Sequence, residues 1–182
     1  QRRAAIHRRR AYEVVAGDGT AINIGDLVKP DSGTATDQYP TVVRLAASGQ
    51  VTAGPVTGAV VGFVVDPTNL NTPQYRAAST KRYVYVADAP DLIFEVADGA
   101  TTPTTATLIG MNCGVTCTAP NTTTGVSPMA TGTTTATTTA TLPLKIVGIA
   151  KYPDNEAGAA YQRLHVMINS HTYGSGTGTA GV

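Results

Sequence analysis

KRYVYVADAPDLIFEVAD, Lys81–Asp98, is the stretch that decides the fold. Tyr83–Ala87 and Leu92–Ala97 are two short runs of β-branched and aromatic residues, the composition that fits a pleated surface. Between them stands Asp88-Ala89-Pro90-Asp91. Proline presets φ and the aspartates bond their own backbone, so Asp88 and Asp91 read as turn-shaping residues. With Glu95 they also form a carboxylate cluster. A glycosidase pair would need a cleft with aromatic platforms, and this chain has no Trp and two Phe. A calcium loop would need more oxygen ligands than one stretch supplies.

The same texture extends in both directions. Tyr12 onward reads as strand, Gly-Asp-Gly turn, short strand and proline stop. Thr41–Ala46, the run GAVVGFVV before Asp66-Pro67, Leu142–Ala150 and the stretch ending in RLHVMINSH read as further strands. In Leu142–Ala150, Leu144, Ile146 and Gly148 share one face. In the last strand Leu164, Val166 and Ile168 face inward, and Arg163, His165, Met167 and Asn169 face outward. No helical periodicity lasts three turns, and no internal repeat is legible. Eight or more short strands at spacings of about 8–15 residues predict an all-β fold, a jelly roll or another β-barrel or sandwich.

Composition agrees. The 182 residues include 30 Thr, 19 Gly and 11 Pro, and only 14% are charged. The net charge of +1 conceals an asymmetry: Arg2, Arg3, Arg8, Arg9 and Arg10 fall in the first ten residues and leave eight basic against 12 acidic residues elsewhere. Residues 1–11 therefore read as an extended basic arm that docks on something negative. Residues 12–173 read as the β-rich domain, with 12–80 and 81–173 as candidate sub-parts, and 174–182 as a flexible end. The Thr-rich region 99–141 reads either as a disordered or glycosylated stalk or as long loops and Thr-faced strands; its apolar islands favour the second. No apolar run has the length of a membrane-spanning helix.

The stretch YPDNEAGAAYQRLHVMINSH, Tyr152–His171, concentrates polar residues. Asp154, Asn155 and Gly158 are turn formers for separate reasons and read as turn determinants rather than a site. His165 and His171 are six apart, about 20 Å along a strand, and read as exposed or interface histidines, not as metal ligands. Cys113 and Cys117 form a C-x3-C pair, poor evidence for zinc, and read as two thiols or a local disulfide. No nucleophile elbow, phosphate-binding loop, zinc-protease or dinucleotide motif is present. The expectation is no enzyme activity, no metal and no cofactor.

Three stretches occur in the order RYVYVADAPDLIFEVAD (Arg82–Asp98), NTTTGVSP (Asn121–Pro128) and TATLPLKIVGIAKYPDNEAGAAYQRLHVMINSHTY (Thr139–Tyr173). Together they resemble the head cement, or decoration, proteins of tailed bacteriophages, over roughly residues 55–173. The resemblance implies a non-enzymatic virion protein on the exterior of the icosahedral head. Its partners would be the major capsid protein and its own copies, as a dimer or trimer. It would bridge capsid subunits and stabilise the shell against internal DNA pressure. Arg2, Arg3, Arg8, Arg9 and Arg10 are then the expected capsid contacts. Two other readings remain open: a virion-surface glycan- or host-binding β module using Tyr83, Tyr85 and Tyr173, and a nucleic-acid-binding head factor using the arm. Nucleic acid is the less favoured partner, because neither stacking platforms nor a groove helix is visible.

Overall fold

The computed structural model describes residues 9–32, 35–100, 102–174 and 178–182. The fold is all-β, of the sandwich type, and its sheets do not close into a barrel. The first sheet is antiparallel and has the order β1 (Arg10–Val14), β8 (Arg82–Ala87), β6 (Gly58–Phe63), β3 (Leu27–Pro30) and β4 (Val42–Arg44). The second has the order β10 (Asn112–Cys113), β13 (Leu144–Ile149), β14 (Arg163–Ile168), β9 (Ile93–Ala97), β12 (Ala130–Thr131), β11 (Val115–Cys117) and β5 (Gly49–Val51). A small ribbon pairs β2 (Ile22–Asn23) with β7 (Tyr75–Arg76). The two strands of Lys81–Asp98 therefore lie in different sheets, and the turn between them crosses the sandwich.

Alternation sets the core. Leu164, Val166 and Ile168 are buried on one face of β14. They pack with Leu144, Ile146, Leu27 and Val56 between the sheets. A second cluster joins Tyr12, Val14, Val28, Val60, Val84 and Val86 to Ile22 of the ribbon. In β13 the expected Leu144–Ile146–Gly148 face is interrupted, because a bulge shifts the register between Ile146 and Gly148. The extra residue, Val147, faces solvent.

The fold duplicates one strand order in its two halves, a repeat that was not legible in the sequence. The order β1-β8-β6-β3 in the first half recurs as β9-β14-β13-β10 in the second, antiparallel throughout. A bulge falls between Val60 and Gly62 in β6, as between Ile146 and Gly148 in β13. The Gly25 N–H donates to Val60 O, and the Val60 N–H donates to Asp26 O. Gly110, Ile146 and Met111 repeat both bonds. Gly25 and Gly110 have φ of 90° and 91°, a left-handed turn that glycine adopts without steric cost. Turns follow the bulges at matching places, closed by Asn69 N–H to Asp66 O and by Asn155 N–H to Tyr152 O.

Two boundaries differ from expectation. Arg10 and Ala11, assigned to the arm, begin β1; Arg2, Arg3 and Arg8 lie outside the described residues. Residues 178–182, expected as a flexible end, are seated on the second sheet. Asn112 Nδ2 donates to Thr179 O at 2.7 Å, Thr179 N–H to Asn169 Oδ1 at 2.9 Å, and Gly181 N–H to Thr138 O at 3.1 Å. The Thr-rich region is built in as well: it holds β10, β11, β12 and a 3-10 turn at Ala106–Leu108, with Thr104 and Thr131 buried.

Candidate functional site

The outer edge of β9 carries unspent binding capacity. Asp98 N–H donates to Gln162 O at 2.7 Å, continuing the antiparallel register of Ala97 with Arg163. That parity turns the backbone of the even-numbered residues toward β14. The N–H and C=O groups of Ile93, Glu95 and Ala97 therefore point the other way. On that side β12 meets β9 only at Ala97, opposite Ala130 and in parallel. Among the described residues, no strand pairs with Ile93–Val96 on the outer side.

Two buried networks explain why the strands part there. At the closed end, the Asp98 carboxylate accepts from the N–H groups of Ala100 and Thr104, from Thr131 Oγ1 and from Gln162 Nε2, at 2.7–3.1 Å. Burial alone would raise its pKa, but these donors outweigh it and hold the carboxyl below its ordinary value. At the open end, the segment leading into β12 is drawn to the first half of the chain. Ile24 N–H donates to Gly125 O at 3.0 Å and Ser127 N–H to Ile24 O at 2.8 Å. Ser127 Oγ donates to Asp26 at 2.6 Å, and Asp26 is itself paired with buried Arg44 at 2.8 Å.

The wedge between β9 and this diverted segment is an apolar cleft of about 540 Å³ lined by Leu27, Val60, Phe94, Val96, Met129 and Val166 among others. Its size falls in the range of ligand-binding pockets. Val61 and Val126, which also line it, are exposed, as is Ile93 on the β9 edge. Glu95 is the charged group of the lining. Its carboxylate accepts from the Tyr152 hydroxyl at 2.9 Å and lies 3.9 Å from the Arg163 guanidinium.

The residues singled out from sequence are dispersed. Arg10 pairs with Asp88 at 3.1 Å and lies over the Tyr173 ring; Arg9 lies over Tyr85. Asp88, expected to shape its own turn, is instead a buried acceptor for the Tyr12 hydroxyl at 2.7 Å. That hydroxyl is also 3.1 Å from the Tyr173 hydroxyl. Burial, reinforced by these two partners, pushes the Tyr12 phenol far above its ordinary pKa. Asp91 is exposed in the turn. Asn155 ties the ends of β13 and β14 with three bonds: Nδ2 to Ala150 O and Arg163 O, and Arg163 N–H to Oδ1. Gly158 turns with φ of 84°, and Asp154 pairs with Arg163 at the surface.

His171, expected at the surface, is buried. Its Nδ1 accepts the Tyr173 N–H at 3.0 Å, and burial lowers its pKa. His165 is half-buried on the outward face of β14. Cys113 and Cys117 are buried free thiols, and burial pushes the Cys113 thiol up to about 12.

Sequence reasoning missed Glu13, Asp26, Arg44 and Arg76, all buried. Arg76 donates to the carbonyls of Val15, Thr20 and Thr80 and pairs with Asp18 at 3.3 Å. A charged residue inside an alternating apolar run, as Glu13 is in YEVV, was the available signal. No group of three or more metal-ligating side chains occurs among the described residues. No family model, curated protein or solved structure matches the chain.

Proposed function

We propose that the chain is a non-enzymatic structural protein of the phage virion. It binds the exterior of the head and cements neighbouring major capsid protein subunits, itself assembled as a dimer or trimer. The observation that carries this reading is the open β9 edge beside an apolar cleft: an unpaired strand edge with an adjoining pocket is the chemistry of strand addition. The resemblance of Arg82–Asp98, Asn121–Pro128 and Thr139–Tyr173 to cement proteins supplies the setting. The charged groups reinforce it, since Asp26, Arg44, Arg76, Asp88 and Asp98 are spent on internal bonds that fix the scaffold. Many modest contacts of this kind stabilise a shell through multivalency.

Densitometry of this chain against the major capsid protein in intact virions tests the reading. A copy number comparable to that of the capsid protein is expected; a few copies per particle would end it. Replacing Arg2, Arg3, Arg8, Arg9 and Arg10 with Ala is expected to lower occupancy on heads while the isolated domain still folds. Unchanged occupancy would remove the arm from the interface.

A further inference from the structure

The two halves of the chain treat equivalent strand edges differently. On β1 the outward backbone is occupied by the protein itself. Glu13 N–H donates to Pro40 O at 2.9 Å, and Glu13 bridges Thr41 in parallel. The same segment satisfies the Glu13 side chain. The Thr36 hydroxyl donates to the carboxylate at 2.6 Å, the N–H groups of Thr36 and Asp37 also donate to it, and Lys81 lies 3.7 Å away. These donors outweigh burial and hold the Glu13 carboxyl below its ordinary pKa.

On β9 the sequence Phe94-Glu95-Val96 stands where β1 has Tyr12-Glu13-Val14. Glu13 is opposite Tyr83 in β8, and Glu95 is opposite His165 in β14. Two residues before each of these strand partners stands a cation, Lys81 or Arg163, facing the glutamate. The covering segment also has a counterpart, residues 127–130, which lead into β12. That counterpart reaches β9 only at Ala97, because Ser127 and its backbone are held by Asp26 and Ile24. Glu95 is thus left with its outward backbone unpaired and its carboxylate exposed on the face of β9 opposite the one from which Phe94 and Val96 line the cleft.

We propose that this edge is the docking site for an extended segment of a protein partner running parallel to β9. A carbonyl of the segment accepts the Glu95 N–H, a Ser or Thr hydroxyl donates to the Glu95 carboxylate, and an apolar side chain enters the cleft of Phe94, Val96 and Met129. The occupant is defined by what the chain already places on β1. The inference deepens the shell-binding reading by naming the site and the kind of segment it takes.

The probe is a synthetic peptide of residues 35–43, ATDQYPTVV, the segment that does this on β1. It is titrated into the full chain while amide shifts and hydrogen exchange are followed residue by residue. Saturable shifts and added protection at Ile93 and Glu95 are expected. Replacing Thr36 with Val in the peptide, or Glu95→Gln in the chain, is expected to weaken binding about tenfold, the loss of one charge-assisted hydrogen bond. Glu95→Pro, which removes the outward donor at a strand edge, should abolish it.

Three results would overturn the proposal. One is no change at Glu95 at millimolar peptide. Another is changes confined to β1. The third is Glu95 protection that grows with protein concentration alone, which would assign the edge to a second copy. The assay contains no capsid, so its failure would leave the shell reading to the virion copy number.

Discussion

Asn155→Ala should be the costliest single change in the turn between β13 and β14. Its amide makes three bonds, to Ala150 O at 2.6 Å, to Arg163 O at 3.0 Å and from Arg163 N–H at 2.7 Å. Each such bond contributes about 0.5–1.5 kcal/mol net. The site is half-buried, so water replaces part of what is lost, and the expected cost is about 2–3 kcal/mol. For a chain of this size, 1 kcal/mol moves the midpoint by about 2–4 °C, so Tm should fall by about 4–12 °C.

Two controls sharpen the test. Asn69 holds the equivalent turn position in the first half, but its side chain accepts only an exposed bond from Asn71 N–H at 3.1 Å. Asn69→Ala should stay within about 0.5 kcal/mol. Asp154→Ala removes an exposed ion pair with Arg163 and should cost about 0–1 kcal/mol. Thermal and urea unfolding followed by circular dichroism would rank the three. An Asn155→Ala midpoint within about 1 °C of the parent would refute the assignment of that turn to its three bonds. Equal losses in all three variants would do the same.

Further outcomes follow from the buried groups. His171 resists protonation in the folded state, so the unfolded chain binds more protons once pH drops below the ordinary 6.5. Stability should therefore fall between pH 6.5 and the lowered folded pKa, and His171→Gln should remove that loss; identical urea midpoints for the parent at pH 7.5 and 5.5 would contradict it. Arg44→Met strands Asp26 without its cation and should cost about 3–5 kcal/mol in urea unfolding, with Asp26→Asn in the same chain restoring part of it. Cys113 and Cys117 should resist Ellman's reagent at pH 8 until denaturant is added, whereas fast native labelling would mean the core around β10 and β11 opens readily.

The strands were legible where alternation is strict and turn residues flank them. β8, β9 and β14 fall within a residue or so of where the pattern of Tyr83–Ala87, Leu92–Ala97 and the last strand puts them. The duplication was not legible, because the halves share backbone hydrogen bonds more than side chains. Its visible traces are few: Gly25 and Gly110, the bulge glycines Gly62 and Gly148, Pro67 and Pro153, Asn69 and Asn155. The buried charges were invisible as pairs. Arg44 meets Asp26 across 18 positions and Arg76 meets Asp18 across 58, and nothing local ties either partner to the other. The cleft depends on where the segment before Ala130 is pulled, which Ser127 and Asp26 decide across 101 positions.

Of two equivalent edges, the chain closes one with its own residues and leaves the other open. That asymmetry limits what this pair of edges can accept. A protein with both edges bare could accept a neighbour on each side and grow without limit, the hazard that edge strands carry. Here β1 is already sealed by Thr36–Thr41, so a segment seated on β9 consumes the one vacancy of the pair. On the proposed docking reading, this pair of edges offers a partner one seat, and a second segment finds none there.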